Sequence, residues 1–566
     1  MSGSFRHLTL AVLLLFILLG LILPGESTQA QEMDPAALIV GSVKDSQDQP
    51  VVDARVVLVK DGGKDPLAET TTQADGRYAL ALPGAFPDTL SVCVERSHFQ
   101  DYSLRLSPNE ILKLDAGETI VMHEITLQRQ INPAFWVATL VFILVLGLIA
   151  TGIIHNTLAA LVGISVIFGV SYLGPILSDG LFIFDFTSSM RYIDWNVIFL
   201  IMGMMIVIAV IENTGIFQWL AFFAYRISGG RSWLLLPILM IITGIASAFL
   251  DNVTTMLLMT PITVQISLAL GINPLALLIP EVMASNVIGV STLVGTPTNI
   301  LIGSYGNISF NDFLVNLTPG ILMAFVGLLI YSFLVYRREL AVAHDASPLL
   351  MEKLAERGQI TEPEQLKKAA VVFAGMIVLF VIGEHYHMLP AVTALMGATV
   401  LLIWIKPDIE EMIEAVDWTT LVFFMSLFIV VGGIQEVGLI SIIADVIGRV
   451  VGDSLLLAML AVTWLSAVLS MVIANIPFTA AMLPVIGFLT ATVPGADSKV
   501  LFFCLSVGAA MGGNGSLIGA SANMVTAGIS EAAGYPITYS YFIKKGFPAL
   551  LITVALAMAW LLFRFL

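Results

Sequence analysis

A single carboxylate inside an otherwise apolar stretch is the first feature of this sequence that could carry chemistry. Asp251 lies in residues 247–255, a polar interruption between two apolar arms that are each too short to cross a bilayer comfortably. Polar groups at that depth are tolerated where they are buried in protein or line a watery cavity, so the pattern predicts a re-entrant hairpin with its tip near the midplane. An ionisable tip residue, together with Asn252 and Thr254, indicates an ion or solute site. Asp251 could instead only cap the second arm.

A second polar interruption follows in residues 284–299, where Gly295 and Pro297 break an apolar span. A broken span frees backbone carbonyl and N–H groups, which can replace the water shell of an ion. Serine, threonine and asparagine add neutral oxygens, and a cage of oxygens suits a hard cation such as sodium. The glycines could instead serve close helix packing. The candidate ligands in this element are Ser285, Asn286, Gly295, Thr296 and Asn299.

Polar landmarks of this region recur later in the chain, and this internal repeat is the strongest signal in the sequence. The offset is 223 or 224 residues, as in 417 − 194 = 223 and 523 − 299 = 224, for the following pairs: Asp194 and Asp417, Trp195 and Trp418, Asn252 and Asn475, Pro261 and Pro484, and Asn299 and Asn523. The second copy therefore supplies a second set of candidate ligands, which are Asn475, Thr479, Asn514, Ser516, Ser521 and Asn523.

Each copy is predicted to hold five full spans and one interrupted hairpin. Because five is odd, the second copy must be inverted relative to the first, as in many secondary transporters. The expected fold is an all-α polytopic membrane protein with one repeat at 134–337, a cytoplasmic linker at 338–368 and a second repeat at 369–566. The predicted spans are about 134–154, 157–174, 195–214, 272–302, 318–337, 369–384, 389–405, 419–436, 499–527 and 546–566, with hairpins at 232–268 and 454–490.

Composition agrees with a chain that mostly faces lipid. Hydrophobic residues make up 58% of the 566 residues and charged residues only 12%, about half the share in soluble proteins. The partners expected are therefore the lipid bilayer and a small ionic substrate. No basic patch with interleaved aromatic residues is present, which argues against nucleic acid as a partner. No His-Glu-x-x-His or Gly-x-Ser-x-Gly motif is present, so an enzyme is not expected and no cofactor is implied beyond a sodium ion.

The N-terminal quarter differs from the rest of the chain. Residues 1–30 are predicted to be a signal peptide, with a weakly basic start, an apolar run and small residues at Thr28 and Ala30, although an uncleaved anchor would also fit. Residues 33–130 show alternating strand patterns between glycine-rich turns, typical of a small β-sandwich. Either interpretation of residues 1–30 predicts that this module lies outside the cytoplasm of a multi-pass cell-membrane protein, and the distribution of Lys and Arg among the loops agrees with that layout.

Four phrases of the membrane region resemble the ion transporter superfamily, in its arsenite-efflux and sodium/proton-antiporter branch and most closely in the P-protein group. They are residues 251–255, 281–286, 475–480 and 512–523. The resemblance covers 134–566 and implies a homodimer with a scaffold domain, a mobile transport domain, elevator-type alternating access and ion coupling. Citrate and dicarboxylate transporters share this fold. Residues 33–130 resemble carboxypeptidase-regulatory-like domains, which have no chemistry of their own.

Two departures from the family pattern bear on function. Thr296 stands where the family often has aspartate, and Ala474 stands where the P-protein pattern has aspartate before the second hairpin asparagine. Fewer proton-exchanging carboxylates favour sodium-coupled transport of a small anion or inorganic ion. The alternatives are a sodium/proton antiporter that uses Asp251 and Glu281, an anion channel, and, from another class, a sensor whose β module binds a ligand.

Overall fold

The structure, a computed structural model of the full chain, describes residues 37–46, 49–60, 65–82, 87, 89–122, 124–341 and 358–566. The predicted signal peptide and most of the predicted linker at 338–368 lie outside the described residues. The chain divides into two compact units, residues 1–130 and 131–566. This division falls where the sequence changes from a polar strand pattern to long apolar runs.

The N-terminal unit contains two four-stranded sheets. The alternation in residues 77–82 predicts a half-buried strand, and that strand is exposed and buried at alternate residues as expected. Buried side chains from both sheets form one core, which includes Leu58, Leu80 and Val92. The strands are β1 (Ala37–Asp45), β2 (Arg55–Lys60), β3 (Pro66–Thr71), β4 (Arg77–Leu82), β5 (Leu90–Glu95), β6 (Tyr102–Arg105), β7 (Thr119–Val121) and β8 (Ile125–Leu127), with one helix, α1 (Pro108–Asp115).

The second unit is helical, and nine of the helices among the described residues are long and apolar enough to cross a membrane. The prediction of a polytopic membrane protein is therefore confirmed. Its first half contains α2 (Pro133–Thr151), α3 (Asn156–Leu173), α4 (Phe186–Met190), α5 (Trp195–Glu212), α6 (Ile216–Ser228), α7 (Ser232–Ser247), α8 (Asn252–Ala269), α9 (Leu275–Ile288), α10 (Pro297–Tyr305), α11 (Phe310–Asn316) and α12 (Thr318–Leu340).

The second half repeats the same order of long helices. It contains α13 (Pro363–Ile382), α14 (Pro390–Ile405), α15 (Ile409–Glu414), α16 (Trp418–Glu436), α17 (Leu439–Val451), α18 (Leu455–Ser470), α19 (Asn475–Thr492), α20 (Val500–Gly512), α21 (Ser521–Ala532) and α22 (Tyr539–Phe565). Helices α16 to α19 each begin 223 residues after α5 to α8, as in 418 − 195 = 223.

Three details differ from the predicted layout. Helices α6 and α17 were expected to be loops, because 13 residues are too few for a span. Each begins after a glycine with positive φ, Gly215 or Gly438, which turns the chain sharply away from the preceding long helix. The last helix begins at Tyr539 rather than at 546, since its first two turns are polar.

Helix contacts separate the second unit into two groups. The hairpin arms α7 and α18 pack against α9 and α20, and α8 and α10 of the first half pack against α21 and α19 of the second. In the other group, α5 packs against α14 and α16 against α3. We call the first group (α7 to α10 and α18 to α21) the hairpin group, and the second (α3, α5, α14 and α16) the frame. The predicted hairpins and broken spans all lie in the hairpin group.

We expect the membrane unit to fold without the N-terminal unit, because each has its own hydrophobic core. Deletion of residues 33–130 should leave a monodisperse membrane protein with an unchanged thermal unfolding midpoint in detergent. Loss of folded protein that is not rescued by co-expression of the missing unit would contradict this expectation.

Candidate functional site

The first hairpin turns at Asp251, which is the N-cap of α8. Its Oδ1 accepts hydrogen bonds from the backbone N–H groups of Val253 (2.9 Å) and Thr254 (3.0 Å), and its Oδ2 accepts one from the Thr254 hydroxyl (2.5 Å). The capping alternative is therefore correct for Asp251. The carboxylate is still partly exposed, since it lines a cavity described below. Both roles are compatible at a helix N-terminus.

The first broken span is held open by Asn299. Its side-chain amide donates to the carbonyls of Val290 (2.9 Å) and Thr292 (2.7 Å), two of the backbone groups that the break leaves without helical partners. A Cβ atom at Gly295 would overlap the carbonyl oxygens of Gly289 and Ser247. Glycine is therefore required for the broken segment to lie against the hairpin tip.

Hydrogen bonds of the first copy recur in the second at the offset found in the sequence. Some of these bonds lie within a broken span and others join it to the neighbouring hairpin, so the internal repeat is a repeat of contacts as well as of residue types. In the first copy, Asn299 donates to Val290 and Thr292, Thr292 to Ala248, Gly295 to Thr292, and Ser247 to Ser285. In the second copy, in the same order, Asn523 donates to Gly513 and Ser516, Ser516 to Met471, Gly519 to Ser516, and Ser470 to Ala509.

Asn286 joins the two copies. Its Oδ1 accepts from the amide of Asn252 (2.8 Å) at the first tip, and its own amide donates to Asn514 (2.9 Å) and Asn523 (3.0 Å) in the second broken span. All four side chains are buried. A reciprocal bond runs the other way, from the Ser506 hydroxyl of α20 to Asn299 Oδ1 (2.5 Å). Each broken span is thus completed by a helix of the other copy.

The second tip lacks the corresponding bonds. Ala474 occupies the N-cap of α19 and offers no side-chain cap. Ala510 stands at the position that corresponds to Asn286 (510 − 286 = 224), so Asn475 has no counterpart of the Asn252 bond. The buried Thr479 hydroxyl has no hydrogen-bond partner among the described residues. The second tip therefore keeps polar groups available that the first tip has already used.

The predicted ligands fall into three groups. The first group shapes the site, because its polar side chains are buried and bonded to protein groups and its glycine packs tightly. It contains Asn252, Ser285, Asn286, Gly295, Thr296, Asn299, Asn514, Ser516 and Asn523. Asn475 and Thr479 are buried without such bonds. Asp251, Thr254 and Ser521 line a cavity of about 460 Å³ that also contacts Val294, Pro297 and Ile476 of the tips and broken spans.

That cavity, which we call the tip cavity, is lined by acidic residues that sequence reasoning did not place in the site. Glu212 at the end of α5 and Asp417 at the start of α16 join Asp251, and His155 adds a titratable group. No lysine or arginine is present among its described lining residues. Asp417 was visible in the sequence as a repeat landmark, but the spacing gave no sign that it or Glu212 faces the hairpin.

A much smaller cavity of about 80 Å³ lies at the corresponding place of the other copy. Five frame positions line both cavities at an offset of 223. They are Met205, Ile208, Ala209, Glu212 and Asp417 in the tip cavity, and Phe428, Val431, Gly432, Gln435 and Asp194 in the small cavity. The small cavity contacts neither a hairpin tip nor the break at Gly295, but it meets the later part of α10 at Leu301 and Tyr305. A third cavity, of about 570 Å³, meets the tip cavity only at Ile300 and includes Asp312 and Lys499.

Glu281 is a fully buried acid of α9 outside the predicted ligand set. Its Oε1 accepts a 2.6 Å hydrogen bond from the Thr243 hydroxyl. The Thr263 hydroxyl also lies near the carboxyl, but no bond of normal geometry joins it to Oε2, which has no partner among the described residues. In the described part of the chain, no group of three or more histidine, cysteine or acidic side chains is placed so that it could hold a metal ion.

Comparison with known proteins identifies the family of the chain. The profile of the citrate transporter family matches residues 140–508, which cover the frame and most of the hairpin group. The chain belongs to the citrate transporter family. The family resemblance stated from the sequence is confirmed, and the protein is a membrane transporter by its family and its relatives.

Three relatives show how far the similarity extends. The chain is similar to a 46 kDa membrane protein of Mycobacterium leprae, at 36% identity over 432 residues, which is 76% of this chain and 99% of that protein. It is 34% identical over 431 residues to an uncharacterized transporter of Mycobacterium tuberculosis, at 76% and 98% coverage. It is 30% identical over 514 residues to the human P protein, at 77% and 60% coverage.

Asn286→Ala should destabilise the protein strongly. The change leaves the amide of Asn252 and the two acceptors in the second broken span without partners in a buried place, which should cost about 3 kcal/mol. Chemical unfolding of the purified protein in micelles measures this. Asn475→Ala is the matched control and should cost much less, since the Asn475 side chain makes no such bonds. Equal losses for the two variants would contradict the assigned network.

Proposed function

We propose that this chain is an ion-coupled secondary active transporter that moves a small anion or inorganic ion, with sodium as coupling ion, by elevator-type alternating access between two inverted repeats. The observation that carries the proposal is the pair of corresponding cavities with unequal volumes. Five frame residues of one copy and their five counterparts in the other copy line two cavities, one of about 460 Å³ and one of about 80 Å³. One half is open to a tip and the other is closed.

The two cavities also differ in what the frame faces. The frame positions of the tip cavity face Asp251 to Thr254 at the start of α8, whereas those of the small cavity face Ala480 to Pro484 of α19. These correspond to residues 257 and 261 of α8 (480 − 223 and 484 − 223), six or seven residues deeper. At 1.5 Å per residue, an exchange of the two registers corresponds to a movement of about 10 Å along the helices. Such a movement would open the other side.

The charges of the tip cavity support sodium as the coupling ion. Asp251, Glu212 and Asp417 attract cations into a space without a described basic residue. The hydroxyls of Thr254 and Ser521, which line the same cavity, offer neutral oxygen ligands. By the positive-inside rule, Arg226 of α6 and Arg231 at the start of α7 lie on the cytoplasmic side. These residues follow the end of α5 that carries Glu212, so the tip cavity would face the cytoplasm.

The second tip supports an anionic cargo. Without a side-chain cap, α19 points its first free N–H groups at the tip, and an anion is favoured there. Asn475 and the Thr479 hydroxyl supply further donors.

Citrate is the first cargo to test, since it gives the family its name. In proteoliposomes, an inward sodium gradient should drive labelled citrate, or another small anion, against its own gradient, and a sodium ionophore should abolish the accumulation.

A sodium/proton antiporter is the second candidate, and Glu281 favours it. A fully buried carboxyl without a basic partner is costly in its charged form, so it is suited to hold a proton. A channel is less well supported, because Ile300 lies between the tip cavity and the larger cavity opposite. Flux that no ion gradient can drive uphill would favour the channel. The homodimer remains a prediction of the family resemblance.

Cross-linking should separate the two proposed registers. A short thiol cross-linker should join Ile208→Cys to Val253→Cys in the register described here, and Val431→Cys to Ile476→Cys in the exchanged register (431 − 208 = 223 and 476 − 253 = 223). Either link should stop transport, and breaking it should restore transport. The two links should not form in the same molecule. Simultaneous formation of both at full yield would contradict alternating access.

Sodium binding should depend weakly on pH if neutral oxygens dominate the site, because carbonyls and hydroxyls do not titrate in the working range. Sodium-dependent stabilisation of the purified protein measures this from mildly acidic to mildly alkaline pH. A nearly flat profile is expected for the native chain and for Asp251→Asn. A steep loss toward low pH that disappears in Asp251→Asn or Glu281→Gln would instead place a proton-exchanging carboxylate at the centre and favour the antiporter.

A further inference from the structure

An aromatic side chain occupies the closed half of the frame at a position where the open half has only a methyl group. Tyr192, in the turn between α4 and α5, lines the small cavity. Its counterpart is Ala415 (415 − 192 = 223), which lines the tip cavity. The neighbouring pair Asp194 and Asp417 has the same offset, so the correspondence holds throughout this turn. The two entrances of the frame therefore differ in sequence and not only in conformation.

Three contacts hold the Tyr192 ring in the cavity. Its hydroxyl donates a hydrogen bond to the Glu436 carboxylate at the end of α16. Its ring lies 5.8 Å from that of Phe184, measured between centroids. A Cβ atom at Gly432 would overlap the ring, whereas the corresponding residue on the open side is Ala209. Asn213 stands at the counterpart of Glu436, so the open side has neither member of the hydrogen-bonded pair.

All of these residues belong to the frame or to the turn next to it. Tyr192 and Glu436 flank α5 and α16, which carry no hairpin and no broken span. A sliding movement of the hairpin group moves Leu301, Tyr305 and Leu483 away from the small cavity, but it leaves Tyr192 where it is. The ring would then stand in the opened entrance.

We propose that Tyr192, held by Glu436, is a gate residue that limits the size of the solutes able to pass the entrance on this side of the frame. This inference rests on the alternating access proposed above, since only the exchanged register makes that entrance a route. When the hydrogen bond to Glu436 breaks, the ring can turn away from Gly432 and widen the entrance. The side that opens onto Ala415 has no such gate. Larger solutes can therefore enter from that side than from the side of Tyr192.

Thiol accessibility tests the gate without any need for transport. Val431→Cys reports on the small cavity and Ile208→Cys on the tip cavity, each in the full chain with Cys93→Ser and Cys504→Ala. The probes are a small methanethiosulfonate and a bulky maleimide. Tyr192→Phe, which removes only the hydrogen bond, should speed the maleimide at position 431 by about tenfold, the factor that corresponds to a weak hydrogen bond to a charged group. Tyr192→Ala should speed it further, and the small reagent should change little.

The mirror variant is the matched control. Ala415→Tyr is combined with Ala209→Gly, because the Tyr192 ring fits only beside a glycine at the corresponding position 432. The double variant places the same ring in the open entrance, and it should slow the maleimide at position 208 while leaving position 431 unchanged. Size-exclusion profiles confirm that each variant is folded. The gate is rejected if Tyr192→Ala and Tyr192→Phe leave the maleimide rate at position 431 unchanged, or if they speed both reagents equally. Absence of citrate or sodium transport would reject the proposed function but would leave this accessibility result intact.

Discussion

The constraint on which the rest of this structure depends is that a helix broken inside a membrane must find new partners for its freed backbone groups. Here two asparagines do this, Asn299 and Asn523, each by donating both amide hydrogens to carbonyls of its own broken segment. Glycine allows that segment to lie against a hairpin tip. Most polar side chains at the centre of the protein therefore satisfy backbone groups of the broken helices. Only the polar groups without such a partner are available to bind a solute.

The polar groups that have no protein partner differ between the two copies. At the first tip a carboxylate caps the helix and Asn252 is bonded, whereas at the second tip the helix has no cap and Thr479 has no partner. The frame shows a second difference, with an aromatic ring in one entrance and a methyl group in the other. Duplication alone would give two equivalent halves. Because of these substitutions, the two corresponding sides of the membrane unit present different chemistry.

Much of this arrangement could be predicted from the sequence, and the failures have physical reasons. Hairpins, broken spans and the offset of 223 are local or periodic features, so spacing reveals them. That Asn286 bridges to Asn514 could not be predicted, because the contact is tertiary and joins residues 228 apart. For the same reason several predicted ion ligands, such as Asn299 and Asn523, have their amide hydrogens committed to the fold. Helices α6 and α17 were missed because 13 residues are too few for a span, and Tyr192 lies in a turn where no pattern indicates a gate.

The reciprocal bonds between the copies, from Asn286 to Asn523 and from Ser506 to Asn299, have a consequence for biosynthesis. When the ribosome has completed the first copy, the residues that complete its broken span have not yet been made. The first half of the membrane unit must therefore wait, with polar groups unsatisfied, until residues beyond 500 emerge and insert. We therefore expect that neither half assembles as an independent protein, and that the polar centre forms in a late, cooperative step in which both halves come together.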